Sequence, residues 1–193
     1  MRIFLAGATG VIGRLLLPRL IAEGHVVAGM TRSPANESGL RESGAEPVVC
    51  DVFDRVALIG VVGVFQPDII LDELTDLPDD RSQLPARALG NARIRVEGTH
   101  NLIEAAQHAK VEKFIAQSVA WQLPAGAGAD AVAELERSVL AIDGVVLRYG
   151  QFYGPGTYYP DERPSDPRVH IDAAAAATID ALDLSGGILT ITD

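Results

Sequence analysis

No stretch restricts this chain more than Arg2-Ile3-Phe4-Leu5-Ala6-Gly7-Ala8-Thr9-Gly10-Val11-Ile12-Gly13, where an apolar run breaks at Gly7 into glycines at every third position and then resumes a helical pattern. It reads as a buried strand, a tight turn and a helix beginning at Val11. Glycine tolerates positive φ and has no Cβ to hold a ligand off the backbone. The unpaired N–H groups and the positive dipole end of the following helix would point at the same spot, which favours a phosphate. The spacing is G-x-x-G-x-x-G rather than the more familiar G-x-G-x-x-G, so its strength lies in its context, directly after a strand and opening a helix. The competing reading is an ordinary β-to-α turn that uses glycine for geometry alone.

At 193 residues the chain holds one well-cored domain with little left for a second. Hydrophobic residues at 48% against 22% charged exclude a disordered chain. A net charge of −10 argues against non-specific nucleic-acid binding, because like charges repel over a Debye length. The single cysteine, Cys50, ends an apolar run with no activating His nearby and reads as a small buried hydrophobe. The N-terminal apolar run is too short for a signal peptide, and no stretch reaches the roughly 20 apolar residues a membrane span needs, so a cytoplasmic protein without membrane contact is expected.

In chain order, Leu15, Leu16, Leu17, Leu20 and Ile21 give the first helix an apolar face, with Pro18 expected to disturb it and Gly24 to end it. His25 to Thr31 reads as a second strand, after which Arg32 falls roughly 20 positions past the glycine turn, where dinucleotide folds discriminate the adenine ribose. An arginine there pairs with the 2′-phosphate of NADP where an acidic residue would grip the 2′-hydroxyl of NAD; the bland reading is a surface arginine. NADP is therefore expected, with NAD as the alternative. A short helix over 36–43 leads to a third strand, Pro47 to Cys50, followed by Asp51 and Val52, which either contact adenine or, for Asp51, cap the next helix. A helix from Asp54 to Phe65, a strand from Pro67 to Leu71, a polar loop from Asp72 to Pro85 and a long helix from Ala86 to Lys110 follow. Lys113 to Ser118 is a strand ending in a hydroxyl, placed either to meet a substrate oxygen or simply to finish the strand. Ala125 to Asp130 reads as a mobile glycine- and alanine-rich segment, then come a helix over 131–142 and a strand over 145–149. Beyond Gly150 the chain reads as an aromatic, proline-rich loop, a helix over 173–182 and a strand over 188–191. Alternating β and α elements with continuous apolar strands specify an α/β doubly wound parallel sheet, with a dinucleotide-binding domain over 1–157 and a reduced substrate or lid segment over 158–193. The four histidines are scattered and show no metal-ligand spacing.

These motifs resemble the extended and atypical short-chain dehydrogenase/reductase superfamily, in particular its NAD-dependent epimerase/dehydratase branch. Ala6 to Gly13 is similar to the nucleotide turn and Asp51-Val52 to the adenine contact. Arg95-Val96-Glu97-Gly98-Thr99-His100-Asn101-Leu102 resembles the helix with the N-x-x-G-T-x-N-L pattern, and Lys113 to Ser118 the strand ending in the active-site serine. Leu147 to Gly156 is similar to L-R-x-x-x-x-Y-G-P-G, and Val169-His170-Ile171-Asp172 to V-H-V-D. The resemblance implies an NAD(P)-binding Rossmann fold, a small-molecule substrate and a cofactor set of Gly7, Thr9, Gly10, Val11, Ile12, Gly13, Arg32, Asp51, Val52 and Leu74.

The departures bear on chemistry. The superfamily's Y-x-x-x-K pair, in which lysine lowers the tyrosine pKa for proton exchange, has no counterpart, since no tyrosine or lysine lies between Ser118 and Arg148. Ser118, Tyr149 and Tyr153 are the catalytic candidates, with Asp72 and Glu73 as further groups at a strand end. Three readings remain: an atypical NAD(P)-dependent oxidoreductase or epimerase-like enzyme, a non-redox member such as a nucleotide sensor or cofactor-independent isomerase, and an interaction scaffold. A homodimer is compatible with the apolar balance, though no sequence feature specifies one.

Overall fold

Strands that are apolar throughout have no face to show to water and must be covered on both sides. The computed structural model, which describes residues 1–193, has strands β1 (Arg2–Ala6), β2 (Val26–Thr31), β3 (Glu46–Val49), β4 (Ile69–Asp72), β5 (Lys113–Val119), β6 (Val145–Tyr149), β7 (Gln151–Tyr153), β8 (Arg168–His170) and β9 (Gly187–Ile191). Seven of them form one parallel sheet in the order β3-β2-β1-β4-β5-β6-β9, while β7 and β8 pair separately. The helices are α1 (Gly13–Ala22), α2 (Glu37–Glu42), α3 (Arg55–Phe65), α4 (Leu84–Arg93), α5 (Thr99–Ala109), α6 (Ala127–Leu140) and α7 (Ile171–Asp180).

Alternation along β1 divides the core. Ile3 and Leu5 pack with Leu16 and Leu20 of α1 and Ala174 of α7, whereas Phe4 and Ala6 pack with Leu58 of α3, Leu102 of α5 and Val139 of α6. The chain order reverses at β1, whose neighbours are β2 and β4. The crevice beyond the carboxyl ends of those strands is the ligand position of open α/β sheets. Residues 158–193 supply β8, α7 and β9, and β9 extends the main sheet by pairing with β6.

Several elements differ from expectation. The first helix starts at Gly13 and runs unbroken through Pro18, whose ring is exposed; Gly24 (φ +84°) closes it. The long helix becomes one rod from Leu84 to Ala109 in which a π-helical turn, Ile94–Gly98, joins α4 to α5. Its start lies at Leu84 because Pro85 suits a first helical turn. Ala127 to Asp130 belong to α6 rather than to a mobile segment. The β7–β8 pair was hidden by its glycine- and proline-rich surroundings, which carry no strand periodicity.

Leu16 is fully buried between α1 and the sheet. Leu16→Ala should lower the unfolding free energy by about 2–5 kcal/mol in urea denaturation, the range for truncating a packed leucine.

Candidate functional site

The turn from β1 to α1 is built by close backbone approach. A Cβ on Gly7 (φ +87°) would stand 2.6 Å from the Glu73 carbonyl oxygen, and one on Gly13 would stand 2.2 Å from the Gly7 carbonyl oxygen. Both positions therefore require glycine for packing. Gly10 differs: it is exposed, and a Cβ there would meet only the Gly7 oxygen, at 3.2 Å. Ile12 caps α1 without a side-chain bond, and the backbone N–H groups of Val11 and Ile12 have no partner in the chain. Thr9 is half-buried in the same turn. Unpaired donors, a helix dipole and an open face at Gly10 suit an anion.

Arg32 leaves the end of β2 with its side chain 72% exposed, its guanidinium 3.7 Å from the Asp76 carboxylate. Asp76 also meets Arg87 at 3.6 Å. Asp51 accepts the Phe53 N–H at 3.0 Å, and the cap of α3 is Asp54, which accepts from Ala57 at 3.0 Å. The helix-capping reading of Asp51 is thus corrected: its carboxylate is held by a turn two residues long and stays exposed. Val52 is buried, with its carbonyl taken by Asn101 at 2.9 Å and its N–H unpartnered. Leu74 donates its N–H to Asp72 at 3.2 Å and lies beside Gly7.

The end of β4 places adjacent carboxyls on opposite faces of the sheet. Asp72 faces α5 and accepts from Thr99 at 2.8 Å; burial, partly offset by these hydrogen bonds and by Arg95, pushes it up to about 6. Glu73 turns the other way and accepts from the Tyr149 hydroxyl at 3.0 Å, while its Oε2 is buried without a partner. Burial, reinforced by Asp72, pushes the Glu73 carboxyl up to about 8. Tyr149 is itself buried, 2.6 Å from the Thr178 hydroxyl on α7, and burial holds its pKa well above the ordinary tyrosine value.

Ser118 is buried at the end of β5 and donates to Glu136 of α6 at 2.6 Å. Glu136 also receives Arg148 in a two-pronged bond at 2.9 and 2.5 Å. Burial alone would raise Glu136, but the bonds from Arg148 and Ser118 outweigh it and hold the carboxylate below its usual range. This group borders a cleft of about 390 Å³ whose α6 face is Ala129, Val132, Ala133 and Glu136, with Trp121 opposite. Sequence reasoning gave Glu136 no role. Its signal was a charge among the buried α6 residues Ala131, Leu135 and Val139.

Tyr153 lies apart, on the β7–β8 pair, bonded to Asp193 at 2.8 Å and edge-on to His170. The structure therefore separates the three catalytic candidates: Ser118 and Tyr149 lie on opposite faces of the sheet, and Tyr153 on the small strand pair. The Cys50 thiol is buried and pushed up to about 11, chiefly by desolvation, which leaves it protonated. No group of three or more His, Cys, Asp or Glu side chains is placed to hold a metal, and no helix is long and apolar enough to cross a membrane.

A profile of the NAD dependent epimerase/dehydratase family matches residues 3–129. Over its whole length the chain is 34% identical to a 3-diazoavenalumate denitrifying reductase from a Streptomyces species, covering 76% of that protein. A UDP-glucose 4-epimerase of Mycolicibacterium smegmatis is 32% identical over 60% of this chain and 37% of its own. Among solved structures, the UDP-glucose 4-epimerase of Thermus thermophilus in complex with NAD superposes with a TM-score of 0.78 at 21% identity, covering 100% of this chain and 78% of its own.

The raised Glu73 carboxyl sets a pH dependence. The folded state keeps a proton that the unfolded chain releases near pH 4.5, so its contribution is full below that value and is lost as pH rises through about 8. Asp72 adds a smaller loss between about pH 4 and 6. Melting temperatures of the wild type should fall from pH 6 to 8.5, and Glu73→Gln, which fixes the neutral form, should flatten that decline.

Proposed function

This chain belongs to the NAD dependent epimerase/dehydratase family, and on that premise we propose that it is an atypical NADP-dependent reductase whose hydride acceptor needs no proton from a tyrosine. The pairing that carries the reading is a glycine turn with unpaired N–H groups at the end of β1 together with an α6 face, Ala129, Val132, Ala133 and Glu136, that offers its cleft neither tyrosine nor lysine. In this reading the Val11 and Ile12 N–H groups hold the pyrophosphate over Gly10, with Gly7, Gly13 and Thr9 shaping the turn. Asp51 and the Val52 N–H take the adenine, Arg32 takes the 2′-phosphate, and Leu74 lines the path between the two halves. When bound, the dinucleotide supplies the hydride.

Reduction of a carbonyl consumes a hydride and a proton, and the side chains that would deliver that proton are occupied: Tyr149 is buried against Glu73 and Thr178, and Tyr153 is bonded to Asp193. An acceptor that already carries positive charge needs only the hydride. An aryl diazonium is one: hydride replaces the nitrogen group, giving the arene and dinitrogen with no proton taken up. Similarity over the whole chain to a protein named as a denitrifying reductase of 3-diazoavenalumate supports this acceptor class. Glu136 and Arg148 give the cleft its charged lining, Ser118 lies buried behind them on Glu136, and Trp121 adds an aromatic side chain. Within residues 158–193, α7 and β9 belong to the core and the sheet, and the lid role falls to the start of the segment: Tyr158 bonds the Pro78 carbonyl and Arg81 stacks over Tyr159 at 4.7 Å, closing the loop after β4.

A second reading, a nucleotide sensor without turnover, is favoured by the same committed tyrosines. Titration with NADPH and NADH, followed by quenching of Trp121, tests the cradle first. Gly10→Val should fold with a small drop in melting temperature, its Cβ meeting only the Gly7 carbonyl oxygen at 3.2 Å, and lose binding, whereas Gly13→Val should fail to fold because its Cβ would stand 2.2 Å from that oxygen. Arg32→Ala should weaken NADPH on the order of tenfold, the size of a charge-assisted hydrogen bond, and leave NADH unchanged. NADPH oxidation with carbonyl compounds and with aryl diazonium salts then separates the readings. Turnover confined to the cationic acceptors supports the reductase, tight binding with no oxidation of any acceptor supports the sensor, and no binding of either nucleotide refutes both.

A further inference from the structure

Register places Arg148 of β6 beside Ser118 of β5, so both side chains leave the same face of the sheet and meet Glu136 of α6 there. Glu136 takes one edge of the Arg148 guanidinium, accepting from Nε at 2.9 Å and from Nη2 at 2.5 Å. Ser118 donates to the same carboxylate at 2.6 Å. A planar guanidinium gripped along one edge is held in orientation, and the rest of its five N–H donors lie on the edge formed by Nη1 and Nη2. That second edge has no partner in the chain and is open to solvent. Arg148 keeps 39% of its side chain exposed against 11% for Glu136, and its Nη1, unlike that of Arg95, is not among the buried unpartnered atoms.

The open edge borders the cleft of about 390 Å³ between α6 and the residues that follow β5, with Trp121 and Leu123 on one wall and Val132 and Ala133 on the other. Glu136 and Arg148 are the only charged residues of its lining, in a chain whose net charge is −10. The single carboxylate is already shared: it serves Arg148 and Ser118 and also lies in the field of Arg95. No other acidic side chain of the lining competes for the free edge of Arg148. An oriented cation set among apolar and aromatic walls selects an anionic group on a hydrophobic body, and the fork of a guanidinium matches the two oxygens of a carboxylate. The cleft lies at the small end of the roughly 300–1,000 Å³ range of ligand sites, which suits one ring with a short substituent.

We propose that this cleft binds a small aromatic carboxylate, its ring against Trp121 and its carboxylate on the Nη1–Nη2 edge of Arg148, with Glu136 as the positioning residue that holds the guanidinium. The ligand's role as hydride acceptor rests on the reductase reading above, in which Arg148 selects acceptors that carry a carboxylate; its binding does not. Trp121 is the single tryptophan of the chain, so its emission reports on the cleft. Calorimetric titration with 3-phenylpropanoate and with 3-phenylpropanamide, with and without NADPH, compares one body with and without the charge, and Trp121 emission locates it. The acid should bind the wild type at least about tenfold more tightly than the amide, the size of a charge-assisted hydrogen bond, and change the Trp121 emission. Arg148→Met combined with Glu136→Gln removes the cation without stranding a buried carboxylate, and should bind acid and amide alike. Arg148→Lys, whose one ammonium is spent on Glu136, should fall between. Equal affinity of the wild type for acid and amide overturns the proposal, as does a preference for the acid undiminished in either variant. Acid binding without a Trp121 response, or binding of neither compound under either condition, overturns it too. NADPH binding with no preference for the acid removes this site and leaves the reductase reading, whereas acid binding in a chain that takes up no nucleotide keeps the site and removes that reading.

Discussion

The molecule depends on a contact between backbones with no side chain in between. Where β1 passes into α1, Gly7 lies against the Glu73 carbonyl and Gly13 against the Gly7 carbonyl, each closer than a Cβ permits. That approach sets α1 tightly on the sheet, fixes the distance between the ends of β1 and β4, and leaves the Val11 and Ile12 N–H groups without a partner. The core on the α1 side, with Leu16 and Leu20, and the opening beyond β1 and β4 follow from the same two glycines.

Gly10 shows how packing and binding can be told apart within one motif. The three glycines look equivalent in sequence, yet a Cβ at two of them would collide with backbone, whereas one at the exposed third would meet the Gly7 carbonyl oxygen alone, at 3.2 Å. Folding demands glycine outright at positions 7 and 13; at Gly10 it asks only that the Gly7 carbonyl give slightly. A fold-only turn would tolerate a small side chain at that position, whereas a phosphate-holding turn would not.

The sheet was readable from the chain because parallel strands buried on both faces are apolar without interruption, and β1, β2, β4, β5 and β6 each show such a run. Boundaries were less so. The start of α1 moved by two residues because helix ends depend on bonds that cross the turn, and the π-helical turn at Ile94–Gly98 leaves no trace in a 3.6-residue pattern. At the site, Ser118 and Tyr149 could be placed at strand ends, but the face each would take and the partner each would find depend on residues far along the chain: Glu136 for one, Glu73 and Thr178 for the other. Asp51 and Asp54 illustrate the same limit at short range, since either could cap α3 and only the path of the turn decided it. Buried polar partners are chosen by tertiary geometry, which composition and spacing do not carry.

The sheet has a consequence for how the chain reaches this state. All its neighbouring strands are parallel, so none of the six pairings can begin as a hairpin, and each must wait for a crossover to close. The β6–β9 pairing joins Val145 to Gly187 across the β7–β8 pair and α7, and β1–β4 joins Ile3 to Ile69 across α1 to α3. Loop closure is counted against the rate before any of these contacts returns stability, so folding is slow for a chain of this length, and the exposed valines of α3, Val56 and Val64, stay uncovered throughout. Kinetic access to the native sheet, more than its final stability, is then where a chaperone or a lowered temperature would act.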